Sequence, residues 1–129
     1  MPQAASSKSK APAVADAPER RSQCPVACSL DIFGDRWTLL VVRDLVLGHS
    51  RFGEFVSSPE GIPTNILSDR LEKLQQHDII QQRPATQGGK RMAYELTEKG
   101  RALLPILRAM RDWGLAWEPG TEARQVPIP

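Results

Sequence analysis

Nothing in the chain approaches the roughly 20 consecutive apolar residues that a helix needs to cross a bilayer, so no membrane span is expected. The first residues lack the apolar segment of a secretory signal and are too acidic for a transit peptide; a cytoplasmic protein is the expectation. Cysteine is scarce. Cys24 and Cys28 are the only two, too few for a disulfide framework and, on one helix, badly aimed for a bond to each other. Reduced thiols are expected. Histidine is equally rare: His49 and His77 stand apart from each other and from both cysteines. No metal-ligand spacing, phosphate-binding loop or nucleophile motif is present, so neither an enzyme, a metal nor another cofactor is expected.

Large net charge is missing too. The chain has 17 bases against 15 acids, a balance of +2 over 129 residues. The first 23 residues hold Lys8, Lys10, Arg20 and Arg21 against Asp16 and Glu19, which leaves thirteen charges of each sign on residues 24–129. Binding of nucleic acid must then rest on local clusters, because the summed charge gives no attraction. Residues 1–23 contain no Leu, Ile or aromatic side chain and read as a disordered tail. Residues 118–129, with three prolines, read as a second flexible end. One folded body, residues 24–117, remains.

The apolar residues that are present fall into a definite order. Residues 25–34 suit a helix opened by Pro25 and closed by Gly34, with Val26, Leu30 and Phe33 as its core stripe. Cys28 and Ile32 point the other way, which asks for a second packed surface. Residues 36–47 are apolar on nearly every side and suit a buried central helix, with Trp37 a core aromatic and Gly48 its stop. A short helix follows, capped by Ser50 and turned inward at Phe52, Phe55 and Val56. After the turn Ser58-Pro59-Glu60-Gly61 comes residues 61–77. Here Leu67, Leu71 and Leu74 make a narrow apolar stripe, while Asn65, Ser68, Asp69, Glu72 and Gln76 project on the other side. Pro63 suits the start of this helix and Thr64 its cap.

Residues 79–83 and 91–96 carry strand signals around a loop, 84–90, with Gly88-Gly89 near its tip. Arg83, Lys90 and Arg91 surround that loop. A hairpin alone is unstable, so it must lean on the helices before it. Helix-turn-helix followed by a basic hairpin is the winged-helix plan, mainly α with a small β-hairpin. A last helix, capped by Thr97, runs to about Trp117 and is kinked by Pro105. Leu103, Leu107, Met110, Gly114 and Trp117 repeat as along a coiled-coil seam, and Trp113 widens the face. Surplus apolar surface of this kind argues for a partner subunit.

Taken together, these residues resemble the HxlR-type bacterial transcription regulators. The matching motifs are Cys24-Pro25, Gly34 with Arg36-Trp37-Thr38-Leu39-Leu40, Arg51-Phe52-Gly53-Glu54, the Leu67–Leu74 helix, residues 94–100 and Leu103-Leu104-Pro105, all in the family's order. The resemblance spans residues 24–117. It implies a winged-helix homodimer, joined through its first and last helices, that regulates promoters. It also implies the response of several members to electrophiles or oxidants through the cysteine of the Cys-Pro motif, here Cys24. Two features depart from the pattern. The reading helix carries Thr64, Asn65, Asp69 and Glu72 where relatives are richer in Gln and Arg, and Cys28 stands where relatives commonly have another residue.

The expected mechanism is recognition of double-stranded DNA. Thr64, Asn65 and Ser68 would meet base edges in the major groove, Asn65 being able to pair bidentately with adenine. Asp69 and Glu72 would accept from cytosine amino groups or be held by Arg70 and Lys73. Arg51 and Arg70 would grip phosphates at the flanks, with Lys90 and Arg91 on the wing. Two-fold symmetry predicts a pseudo-palindromic operator. The dimer contact is assigned to Ile32, Leu103, Leu107, Met110, Trp113 and Trp117. Cys24, at the N-cap of the first helix and just after Arg20 and Arg21, has the setting of a reactive thiolate, and Cys28 is a second redox candidate. The competing readings are structural cysteines without an effector, and a winged helix that binds a protein partner instead of DNA.

Overall fold

The structure, a computed structural model, describes residues 20–122. The expected tails, 1–23 and 118–129, lie outside the described residues except for 20–23 and 118–122. The chain divides into two units, residues 1–31 and 32–129.

The first unit holds most of helix α1 (Pro25–Phe33). The Cys24 carbonyl accepts from the Cys28 amide at 2.9 Å and the Cys24 amide donates to Ser22 Oγ at 3.0 Å, which puts Cys24 at the N-cap as expected. Pro25, with no N–H to satisfy, opens the first turn without cost. The core stripe expected here is not buried: Val26 and Leu30 are exposed and no residue of α1 is buried.

The second unit runs α2 (Thr38–Val46), α3 (Phe52–Val56), α4 (Thr64–Gln76), β1 (Ile80–Pro84), β2 (Met92–Leu96), α5 (Glu98–Arg101) and α6 (Leu104–Trp117). Helix α2 is the central element, packed against α4, β2 and α6. Its Val41 and Val42 join Phe55, Ile62, Leu67, Leu71, Leu74, Ile79, Ile80 and Leu107 in one core, and Trp37 packs against it. The α4 stripe is wholly absorbed: Leu67 and Leu74 are 0% exposed and Leu71 2%. Each such leucine contributes about 1.5–3 kcal/mol of burial free energy before ordering costs.

Helix ends follow their local chemistry. After α2, Gly48 takes φ +106° while His49 N reaches back to Asp44 O, a left-handed stop open to glycine. After α4 the same stop is made by Asp78 at φ +61°, with Ile79 N bonded to Leu74 O and Asp78 N to Gln75 O. The start of α3 differs from the expected Ser50 cap. Arg51 takes that position, and the Glu54 carboxylate accepts from the Ser50 and Arg51 amides at 2.8 and 3.0 Å. Those two bonds hold the Glu54 carboxyl below its ordinary range.

The hairpin pairs Ile80 with Leu96 through Pro84 with Met92, antiparallel. It leans on the helical body through the Tyr94 amide, which donates to Ser50 O at 2.8 Å, and through Tyr94 set edge-on to Phe55. Thr97 caps α5 by accepting from Gly100 N. The single last helix that was expected is two: α5 ends at Arg101 and α6 starts at Leu104. Pro105 explains the break, since its ring and missing N–H are tolerated only in a first turn, where it now sits.

Candidate nucleic-acid interface

Helix α4 enters from the turn at 57–63. Pro63, extended at φ −62° and ψ 144°, occupies the N-cap position, so Thr64 is the first helical residue and not the cap; no side chain caps this end. The Pro63 carbonyl accepts from Leu67 N at 2.9 Å. With the leucines turned inward, Thr64, Asn65, Ser68, Asp69, Glu72 and Gln76 are all exposed on the opposite side.

Two charged networks fix where α4 stands. In the first, the Arg43 guanidinium donates bidentately to Glu60 (2.8 Å twice) and also to Asp44 (2.8 and 3.1 Å). Asp44 is buried, as few carboxylates are, and also accepts from Ser58 Oγ. The bonds to Glu60 outweigh burial and, with Asp44, push the Arg43 pKa up. The result ties α2 to the turn that leads into α4. His49 Nδ1 lies 3.9 Å from Asp44 Oδ2, buried and without a hydrogen bond.

In the second network, Asp35 accepts from the Trp37 amide (3.0 Å), the Thr38 amide (3.1 Å), Thr38 Oγ1 and Arg70 Nε (2.8 Å). Burial alone would raise the Asp35 carboxyl, but the bonds from Thr38, Arg70 and Trp37 outweigh it and hold the group well below its ordinary range. Asp35 was not among the residues expected from the sequence. Its signal was an acid in the Gly34–Trp37 link, directly before an apolar run, where a helix start wants an acceptor.

This second network corrects the assignment of Arg70. Its guanidinium also pairs with Asp69, and with two carboxylates upon it Arg70 is a structural tie and not a free phosphate clamp. Asp69 is thus held by Arg70, one of the two arrangements expected for it. Arg51, by contrast, is exposed and shares with Arg91 an open cleft of about 450 Å³ between the start of α3 and the wing. Lys90 and Arg91 are exposed and make no ion pair among the described residues. Arg83 does: Glu95, also held by Gln81, accepts from it at 2.9 Å across the strands.

Of the residues assigned to a dimer contact, Leu107 is corrected, because its side chain is 6% exposed and sits in the core of its own chain. Ile32 and Leu103 are half-buried and pack against that same core. Met110, Trp113 and Trp117 are exposed along one side of α6, and Ile106, not among the residues expected there, extends them by a turn. The spacing 106, 110, 113, 117 was available to find it. Cys24 is exposed and Cys28 half-buried, its Sγ 3.4 Å from Ser22 O. Of the two arginines expected to favour a Cys24 thiolate, Arg20 and Arg21, the second is engaged elsewhere: Arg21 Nε is bonded to Asp31 at 2.7 Å. His77 ends α4; burial, then Lys99 and Lys73, lowers its pKa.

Three helices, the last two in a helix-turn-helix, followed by a hairpin that leans back on them, define a winged helix, the fold class expected above. The chain belongs to the HxlR-like helix-turn-helix family, whose model matches residues 32–122. It is 31% identical to the HTH-type transcriptional regulator YodB of Bacillus subtilis over 77% of this chain and 90% of that protein. Its fold matches the crystal structure of PA1607 with a TM-score of 0.74 at 40% identity, covering 84% of this chain and 82% of that one. The reduced form of the redox regulator HypR matches with a TM-score of 0.65 at 31% identity, over 72% and 92% of the two chains. The quinone-bound form of YodB matches with a TM-score of 0.60 at 29% identity, over 73% and 99%. The expected family is therefore borne out, and its relatives are transcriptional regulators. Among the described residues no helix is long and apolar enough to cross a membrane.

Proposed function

We propose that this protein is a cytoplasmic, sequence-specific DNA-binding regulator that acts as a homodimer on a pseudo-palindromic operator. The observation that carries the reading is the division of α4 into a wholly buried leucine stripe and a wholly exposed polar face. Thr64, Asn65 and Ser68 hydrogen-bond to base edges from that face. Arg51 and Arg91, around one cleft, and Lys90 beside them hold the phosphates and fix register. A second copy covers Ile106, Met110, Trp113 and Trp117 on α6, an apolar strip too large to leave in water.

Gel shifts of the full chain on its own promoter region test this. A retarded band that weakens with salt is the expected result. Lys90→Ala and Arg91→Ala each remove two cations from the dimer, one per protomer, and should each make the salt dependence shallower by about 1.8 in log K against log salt. A chain that binds no promoter DNA, with pull-down of a protein through the α4 face, would favour the partner-binding alternative.

Cys24 is the proposed point of control by an electrophile or oxidant. Its exposure at the start of α1 supports this, as do relatives solved with a quinone bound (YodB) and in an oxidised form (HypR). A quinone or diamide should release DNA from the protein but not from Cys24→Ser. Equal release from the two would remove Cys24 from this role and leave Cys28 as the candidate, and no release from either would return both cysteines to a structural role.

A further inference from the structure

We propose that Asp69 reads a cytosine from α4, and that Asp35, outside that helix, sets the position from which it does so by way of Arg70. This rests on the reading of α4 as the base-contacting helix. An acid on such a face is repelled by phosphate, so its presence calls for a specific role or a neutralising partner. Asp69 has the material for both. Its Oδ2 is held by Arg70 Nη1, and its side chain is 64% exposed, which leaves Oδ1 to accept from a ligand.

The hold on Arg70 comes from the scaffold. Arg70 Nε is bonded at 2.8 Å to Asp35 Oδ2, and that same oxygen is anchored by two main-chain amides, Trp37 N and Thr38 N, at the start of α2. A carboxylate fixed to backbone does not follow the motions of surface side chains. The series backbone, Asp35, Arg70, Asp69 thus delivers one aimed acceptor to the outer face of α4. Arg70 lies between two carboxylates and cancels only one of their charges, so the Asp69 end stays negative.

The preference for cytosine follows from what a carboxylate can do. Ionised, it only accepts hydrogen bonds. Guanine shows two acceptors in the major groove, and adenine sets an acceptor beside its amino group. Thymine shows an acceptor and a methyl group, whereas cytosine presents an amino donor alone. An acceptor with residual negative charge is repelled by the first, compromised by the second and unsatisfied by the third.

Selection from a random duplex library with the full chain tests the assignment, using wild type, Asp69→Asn, Asp35→Asn and Arg70→Lys at one salt concentration. The wild type should select half-sites with one fixed C·G pair. Asp69→Asn should move that single position towards adenine, because an amide pairs with adenine bidentately, by about tenfold or more in relative affinity. Asp35→Asn and Arg70→Lys should keep the other positions and lose preference at that one. Arg70→Lys keeps the charge and serves if Asp35→Asn does not fold. Loss of active protein alone would lower binding to every sequence equally and leave the pattern intact. A selected sequence unchanged by Asp69→Asn, or a pattern unchanged by both positioning variants, overturns the inference. A wild type that selects no sequence overturns instead the reading on which it rests.

Discussion

Helices α4 and α6 are nearly equal in length, 13 and 14 residues, and both carry apolar side chains at helical spacing. They finish differently. Helix α4 spends its whole apolar stripe on its own chain, and what remains outside is polar. Helix α6 buries Leu107 and leaves Trp113 61% and Trp117 69% exposed, with Met110 and Ile106 beside them. The first helix is satisfied within its own chain and presents a polar face outward. The second leaves an apolar strip exposed, the strip that a second copy is proposed to cover. Hydrophobic pattern alone does not separate these cases, since the deciding quantity is how much of the pattern the rest of the chain can reach.

The contrast is broken most severely from the α4 side. Leu71→Ala should cost about 2–5 kcal/mol of folding stability, read as a lowered urea or thermal midpoint, because the cavity it leaves is in the centre of the core. Trp113→Ala should act on assembly. It should weaken self-association by about 2 kcal/mol or more, seen by sedimentation as a shift to monomer, while the isolated subunit changes stability by less than about 0.5 kcal/mol. If instead it lowers the midpoint of the monomer as Leu71→Ala does, the two helices are not different in kind.

Asp35→Asn sharpens the comparison, since it removes the polar tie of α4 and leaves the leucines in place. A cost of about 1–3 kcal/mol near neutral pH is expected. The folded carboxyl lies below its ordinary 3.8, so its contribution is complete above that value. It is lost as pH falls towards the depressed one, so the gap between wild type and variant should close below about pH 4. The smallest effect is a gain. Asp78 holds a left-handed conformation that glycine adopts freely, and Asp78→Gly should raise stability by about 0.5–1 kcal/mol.

Much of this was legible in the residues. Leu67, Leu71 and Leu74 announced both the buried and the exposed side of α4, because helical periodicity is local information. The hairpin was visible for the same reason. What escaped was settled by contacts distant in sequence. Arg70 reads as a free base until Asp35, 35 residues earlier, is set beside it. Leu107 reads as part of the α6 seam until the core claims it. Pro105 signals a disturbance of the helix, but sequence does not distinguish a proline that kinks one helix from a proline that opens another. Thr64 reads as the cap of α4 because its hydroxyl suits that position. Pro63 holds it instead, since an extended residue whose carbonyl accepts from Leu67 N is enough there.

The hairpin's two ends are secured very unequally. At its root the Thr97 hydroxyl donates to Asp78 O at 2.6 Å and the Thr97 amide to Ile79 O at 3.0 Å, while a side chain on Gly100 would strike the Ile79 carbonyl. At its tip, residues 85–91 are joined across by the Ala85 N to Arg91 O bond and the Gly89 N to Thr86 O turn. This is a cantilever, bonded to the body where it leaves it and held at the free end that carries Lys90 by its own turn bonds. In the proposed complex such a beam would let Lys90 follow a backbone of varying width without disturbing the elements at its base.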